Sequence, residues 1–295
     1  MKNEILKRTI QLLPLLFLLA IFNVSCSGDE AEQSADADQV EVESVEILAE
    51  IQSMTEVLDD MAEVLGTELD PALQFKESPE KSLSNEPYFS SCVSRTLVME
   101  GNSINISLDF GSGCEGPHGN VLAGVIRIDL QMIDFDEQLV THSFEDFSIN
   151  GRGIEGSMTR NRIRSNDDGF PEVQTSKDLN IQWDKDTVFN RVGETTRVWI
   201  EGTDTRNWGD DVFVTTGNWN VSKNGVLRRS VTISKELRRE MGCRFLVSGT
   251  MDIEGDAGTY TLDFGDGSCD NTAIVSSGDG EKEIQLGRFR KRIRN

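Results

Sequence analysis

The sequence predicts an all-β protein: an antiparallel meander of about 12 strands, barrel-like or a sandwich, preceded by one N-terminal amphipathic helix. Three observations predict it. From about Tyr88 the 295-residue chain runs in short stretches of alternating apolar and polar residues, punctuated by turn pairs such as Asn150-Gly151 and Asn224-Gly225. No helical period of any length survives there, apart from Lys235 to Met241. The clear helical period comes earlier, where Ile47, Ile51, Met54, Leu58, Met61 and Leu65 recur at intervals of four and three.

Taken in chain order, Lys2, Lys7 and Arg8 form a basic head before an apolar run from Ile10 to Val24. That run is too short to span a bilayer and suits the core of a secretory signal. It ends in Asn23-Val24-Ser25-Cys26, which resembles the lipobox of bacterial lipoproteins, with Asn23 departing from the usual Leu. Residues 1–25 are therefore expected to be a lipoprotein signal peptide, cut before an acylated Cys26, the odd one of five cysteines.

Residues 26–43 read as a disordered acidic tether. From Asp29 to Asp70 the chain holds 15 acids and no Lys or Arg, so the segment repels itself and extends away from an anionic surface. Residues 44–66 read as the amphipathic helix, with Ser44 as N-cap and Gly66 as its stop. Docking on its own domain by the apolar stripe is favoured over a coiled-coil stalk. A parallel homodimer would set acid against acid. Residues 67–87, with Pro71, Pro79 and Pro87, read as a linker, and 88–295 as the β-rich domain.

Within that domain, Phe144 to Ile163 predicts a hairpin about a type I′ turn at Asn150-Gly151, and Val212 to Ile233 a second about Asn224-Gly225. Val121 to Met132, Leu179 to Trp183 and Thr196 to Glu201 supply further strands. The strongest internal signal is a repeat. Leu108-Asp109-Phe110-Gly111-Ser112-Gly113-Cys114 matches Leu262-Asp263-Phe264-Gly265-Asp266-Gly267-Ser268-Cys269 with one inserted residue. Cys92 and Cys243 open the two copies, which span 89–131 and 240–286. A hairpin brings its ends together, so Cys92 is expected to face Cys114, and Cys243 to face Cys269. Pairing between the two hairpins would close a barrel or strap a sandwich.

Charge excludes some functions. With 29 Lys and Arg against 51 Asp and Glu, a net −22, no nucleic-acid partner is expected. Two histidines, His118 and His142, make a His-based metal site or relay improbable. No catalytic residue, metal site or cofactor is assigned. Asp263, Asp266 and Asp270, or Asn166, Asp167 and Asp168, could ring a calcium ion but lack the spacing of a calcium loop. Glu145, Asp146 and Glu155 could form a carboxylate pair. Trp183, Trp199, Trp208 and Trp219 are either sugar-stacking platforms or core, with core favoured. Arg288, Arg290, Lys291, Arg292 and Arg294 form a basic tail, and Asp186-Thr187-Val188 resembles a short O-glycosylation sequon.

The Leu-Asp-Phe-Gly-x-Gly-Cys copies, Phe144 to Gly151 and Gly242 to Thr250 resemble a set of uncharacterised Bacteroidota outer-membrane and surface lipoproteins, over residues 90–286. Ser27-Gly28-Asp29-Glu30 resembles the surface-export signal of such lipoproteins. The resemblance implies a β-rich secreted module and carries no functional residues. The expectation is a monomeric, non-enzymatic surface lipoprotein held in the outer membrane by acylated Cys26, binding an unknown macromolecule or serving a structural role. Alternatives are a carrier of lipid or another apolar ligand in a β-barrel or half-barrel plugged by the helix, and a carboxylate-dependent glycan hydrolase.

Overall fold

The computed structural model describes residues 29–68 and 89–287, with 102, 206 and 257 excepted, and the helix side chains from residue 42 onward. The signal segment, Cys26, the linker and the basic tail lie outside the described residues. The chain divides into two units, 1–39 and 40–295. The first is helical from Asp29, and all that follows concerns the second.

Helix α1 runs Asp29–Glu68, starting well ahead of the Ser44 expected to cap it. Residues 29–43 contain no Gly or Pro, are rich in helix formers, and set acids at a helix N-terminus. Helix therefore replaces the disordered tether expected there. Ser44 serves another purpose, its Oγ accepting from Arg229 Nη2 at 3.1 Å.

The strands are β1 Ser94–Glu100, β2 Ser103–Asp109, β3 Cys114–Glu115, β4 Val121–Met132, β5 Glu137–Ile149, β6 Arg152–Ile163 and β7 Glu172–Gln182. Then come β8 Val188–Glu201, β9 Val212–Lys223, β10 Val226–Glu240, β11 Ser248–Gly255, β12 Gly258–Asp266, β13 Thr272–Ser277 and β14 Gly280–Gln285. They form one antiparallel sheet in chain order, with β3 paired only to β4. The predicted type I′ turns are present. Asn150 and Gly151 lie at φ 52° and 74°, Asn224 and Gly225 at 51° and 78°. Lys235 to Met241 is not helical: β10 continues to Glu240, and register shifts beside Lys235 and Leu237 break the alternation there.

The sheet is not closed into a barrel, nor split into a sandwich. β1 and β14 are its edges, and every ladder joins neighbours in sequence except β2–β4, which passes over β3. The two cysteine hairpins, β1–β2 and β11–β12, do not pair with each other, because β13 and β14 follow the second and take up its free side. Each hairpin carries its expected bridge. Cys92–Cys114 and Cys243–Cys269 both have Cα atoms 5.7 Å apart, and they close loops of 22 and 26 residues. Each contributes about 3 to 4 kcal/mol in the chain-entropy picture.

An open sheet this wide must curl to bury one face, and mid-strand bulges supply the bends. At one of them, between Ala123 and Val125, β4 meets β5 with Gly124 at φ 82° and Asp146 at φ 48°. A Cβ on Gly124 would fall 2.2 Å from the Asp146 carbonyl oxygen. Gly124→Ala is therefore expected to lower stability by about 2 kcal/mol or more, read as a shift in the urea midpoint. An unchanged midpoint would show that the bend does not depend on this glycine.

Candidate functional site

The inner face of the curled sheet encloses α1 from Val45 to Gly66. The predicted stripe docks in cis: Ile51, Met54, Leu58, Met61 and Leu65 are buried against Leu108, Ile128, Leu130, Met251, Leu262 and other apolar side chains of one core, while Ile47 is half-buried. The opposite face of the helix is buried as well. Glu46, Glu50, Glu56, Asp59, Asp60 and Glu63 all lie inside.

Burying six carboxylates is costly unless each finds opposite charge and hydrogen bonds. The sheet provides both, because inward positions that would ordinarily be apolar carry bases. Arg152, Arg160 and Arg162 of β6, Lys177 of β7, Arg191 and Arg197 of β8, and Arg239 of β10 are all buried. Lys177 Nζ donates to Asp59 Oδ2 at 2.7 Å, and Arg160 pairs with Glu63. Asp60 is clasped from two strands. Arg197 Nη2 donates to its Oδ1 at 2.7 Å, and Arg239 donates to its Oδ2 from Nε and Nη2 at 3.0 and 2.7 Å. Arg239 also donates to the carbonyls of Glu240 and Cys243, which ties the helix to the disulfide loop.

Burial raises the Asp60 carboxyl's pKa, but Arg239 and Arg197 outweigh it and hold the group below the ordinary range. Asp59 is likewise lowered, with Lys177 overcoming burial. In Glu56, burial wins over Arg197 and the pKa rises. Burial also lowers Lys177, to about 8, against the pull of Asp59. Arg191, fully buried and drawn down by burial to about 10, has no protein acceptor and stacks its guanidinium 4.2 Å from the Trp219 ring centroid. Gly193 makes room for that ring, since a Cβ there would lie 2.4 Å from Trp219 Cβ.

Two small hollows along the helix measure about 10 and 20 Å³, each with room for about one water. The first, between α1, β4, β5 and β6, is bordered by His142.

The other sequence candidates do not converge. The four tryptophans belong to the core. Glu145 pairs with Arg127 on the outer face. Asp263, Asp266 and Asp270 each accept from backbone amides of their own turns, as Asn166 does from Asp168 and Phe170. Among the described residues no three His, Cys, Asp or Glu side chains gather as metal ligands. His118 Nε2 lies 3.0 Å from the Met241 carbonyl, joining the loop after β3 to the end of β10.

One surface feature stands apart. The β1–β2, β4–β5 and β6–β7 turns lie at the same ends of adjoining strands, and they carry Met99, Ile133, Phe135 and Phe170 with 69, 54, 68 and 38% of their surface exposed. Successive tips are about 10 Å apart at the spacing of two strands. Arg164 braces two of them, donating to the Phe135 carbonyl at 2.9 Å and lying 4.4 Å from that ring's centroid. No protein-family model matches the chain, and no curated protein or solved structure matches it either.

Two outcomes follow from the buried charges. Asp60→Ala leaves two buried guanidiniums without their carboxylate, and is expected to cost about 3 to 5 kcal/mol in urea unfolding. A loss below about 1 kcal/mol would mean that water relieves them. The second concerns pH. Burial, with help from Arg160, lowers His142 from an ordinary 6.5 to about 3, so the folded chain refuses a proton that the unfolded chain accepts. That contribution is complete above pH 6.5 and is lost as pH falls towards 3. Glu56 works in the opposite sense but is common to both proteins, so wild type and His142→Leu should diverge below pH 6.5, the wild type falling faster by up to about 1.4 kcal/mol per pH unit. Parallel urea midpoints at pH 7, 5.5 and 4.5 would contradict it.

Proposed function

We propose that this chain is a non-enzymatic binding or structural module of the bacterial envelope, anchored in the outer membrane through acylated Cys26 and facing the cell surface. The observation that carries the binding role is the set of exposed hairpin tips. Large apolar side chains at adjoining turns of a rigid scaffold are uncommon on a surface that meets only water. The scaffold behind them is held by the charged helix and two disulfides, and such bridges persist outside the cytoplasm. The basic head, the short apolar run and Ser25-Cys26 support the anchor. The resemblance to Bacteroidota surface lipoproteins agrees with both. The carrier alternative calls for an apolar lumen beside the helix, and the two hollows described there have room for about one water each.

Two measurements on cells test the reading. Cys26→Ser is expected to remove the acyl mass and release the protein from the membrane fraction; a variant that remains bound would refute the anchor. A photo-crosslinking residue at position 135 is expected to give adducts with envelope macromolecules, while one at position 192, exposed on the outer face of β8, gives few. Equal yields at the two positions would remove the tips from the account.

A further inference from the structure

We infer that the three hairpin tips bind the basic tail, residues 288–294, of a second copy of this chain, so that copies associate head to tail. The inference rests on the reading of the tips as a docking surface and names the occupant.

Charge comes first. The tips carry Glu100, Asp134, Asp136, Asp167 and Asp168 around their apolar side chains, and their one base, Arg164, already serves Phe135. An anionic bilayer or a nucleic acid would be repelled. A suitable occupant is cationic and carries apolar side chains of its own. Arg288-Phe289-Arg290-Lys291-Arg292-Ile293-Arg294 has five positive charges interleaved with Phe289 and Ile293. In a chain of net −22, no described segment has that composition.

Reach makes the contact intermolecular. The tail departs from Gly287, which borders a hollow with Asn120, Ile149 and Asn150. Those residues stand at the opposite end of β4 and β5 from the Ile133–Asp136 turn. β4 has 12 residues, so about 40 Å separates its ends. Residues 288–294, fully extended, cover at most about 25 Å. A tail therefore falls short of its own tips and can meet those of a neighbour. The tips and the tail are different surfaces, so the contact is heterologous, and repeating it builds a chain or a ring.

Sedimentation equilibrium of the mature acylated protein in density-matched detergent tests this, from 1 to 200 μM. Concentration-dependent association is expected, weakened roughly tenfold between 50 and 300 mM NaCl. Truncation after Gly287, and the pair Phe135→Ser with Phe170→Ser, should each give monomers. Arg290→Glu with Arg292→Glu replaces the truncation if that disturbs folding. An equimolar mixture of tail-less and tip-substituted chains should stop at dimers, since each pair keeps one intact contact. A wild type that stays monomeric, association that survives loss of the tail, or a tail that binds vesicles of one part phosphatidylglycerol to three of phosphatidylethanolamine with no effect of the tip substitutions would each overturn the inference. Adducts at position 135 with other envelope molecules would then leave the broader reading standing. Their absence from cells would remove both.

Discussion

Asp60, clasped by Arg197 from one strand and Arg239 from another, represents the constraint on which the rest of the fold depends. A helix with six buried carboxylates can be enclosed only where bases meet them, so the acidic face dictates which strands may pass behind it. The apolar stripe alone would be satisfied by one flat face of a sheet. Burying the other face as well requires a sheet wide enough to curl round the helix, with β6, β7, β8 and β10 presenting inward charge. Fourteen strands and bulges such as the one at Gly124 are the means.

Buried ion pairs rarely raise stability over well-packed apolar side chains of similar size. Their use here is positional. Glu56, Asp59, Asp60 and Glu63 meet Lys177, Arg160, Arg197 and Arg239 at fixed heights on four strands. A slip of the helix by one turn would leave several of these charges buried without partners. An apolar stripe in an apolar groove has no comparable penalty against sliding. The ion pairs therefore set the register of helix and sheet, while the stripe supplies most of the burial.

Much of this was legible in the sequence. Alternation from Tyr88 onward, the Asn-Gly turns and the matched cysteine segments carry the strand order, two hairpin registers and both disulfides, because each rests on local geometry. The spacing of Ile51 to Leu65 carries the helix and its apolar stripe, though not whether the stripe docks in cis or in trans. The charged half of the interior was missed, although it left a trace. Glu56, Asp60 and Glu63 follow the same four-and-three spacing as the stripe, with Asp59 beside them, and Arg160 and Arg162, like Arg197, share the strand parity of buried neighbours such as Met158 and Trp199. Taken singly, an acid on a helix or an Arg on a strand signifies a solvated face. Only the pairing of two such patterns across more than 90 residues gives them an interior. Closure was unreadable for a related reason: whether the first and last strands meet depends on summed twist, and no residue pair encodes that.

The same charge economy separates inside from outside. The seven buried bases are balanced by buried Glu46, Glu50, Glu56, Asp59, Asp60, Glu63 and Asp211, so the interior is formally neutral, the net −22 of the chain lies outside it, and the hairpin tips share in that acidity. Such a surface is repelled by anionic lipid and by other copies of itself approached at random. Apolar side chains exposed within it are shielded from indiscriminate contact by the surrounding acids. They become accessible to a cationic segment, which neutralises the acids as it covers the apolar groups. The bases on the inner face are buried and the exposed ones on the strands, such as Arg127, Arg228 and Lys282, are scattered, whereas the run from Arg288 to Arg294 gathers five positive charges in one segment.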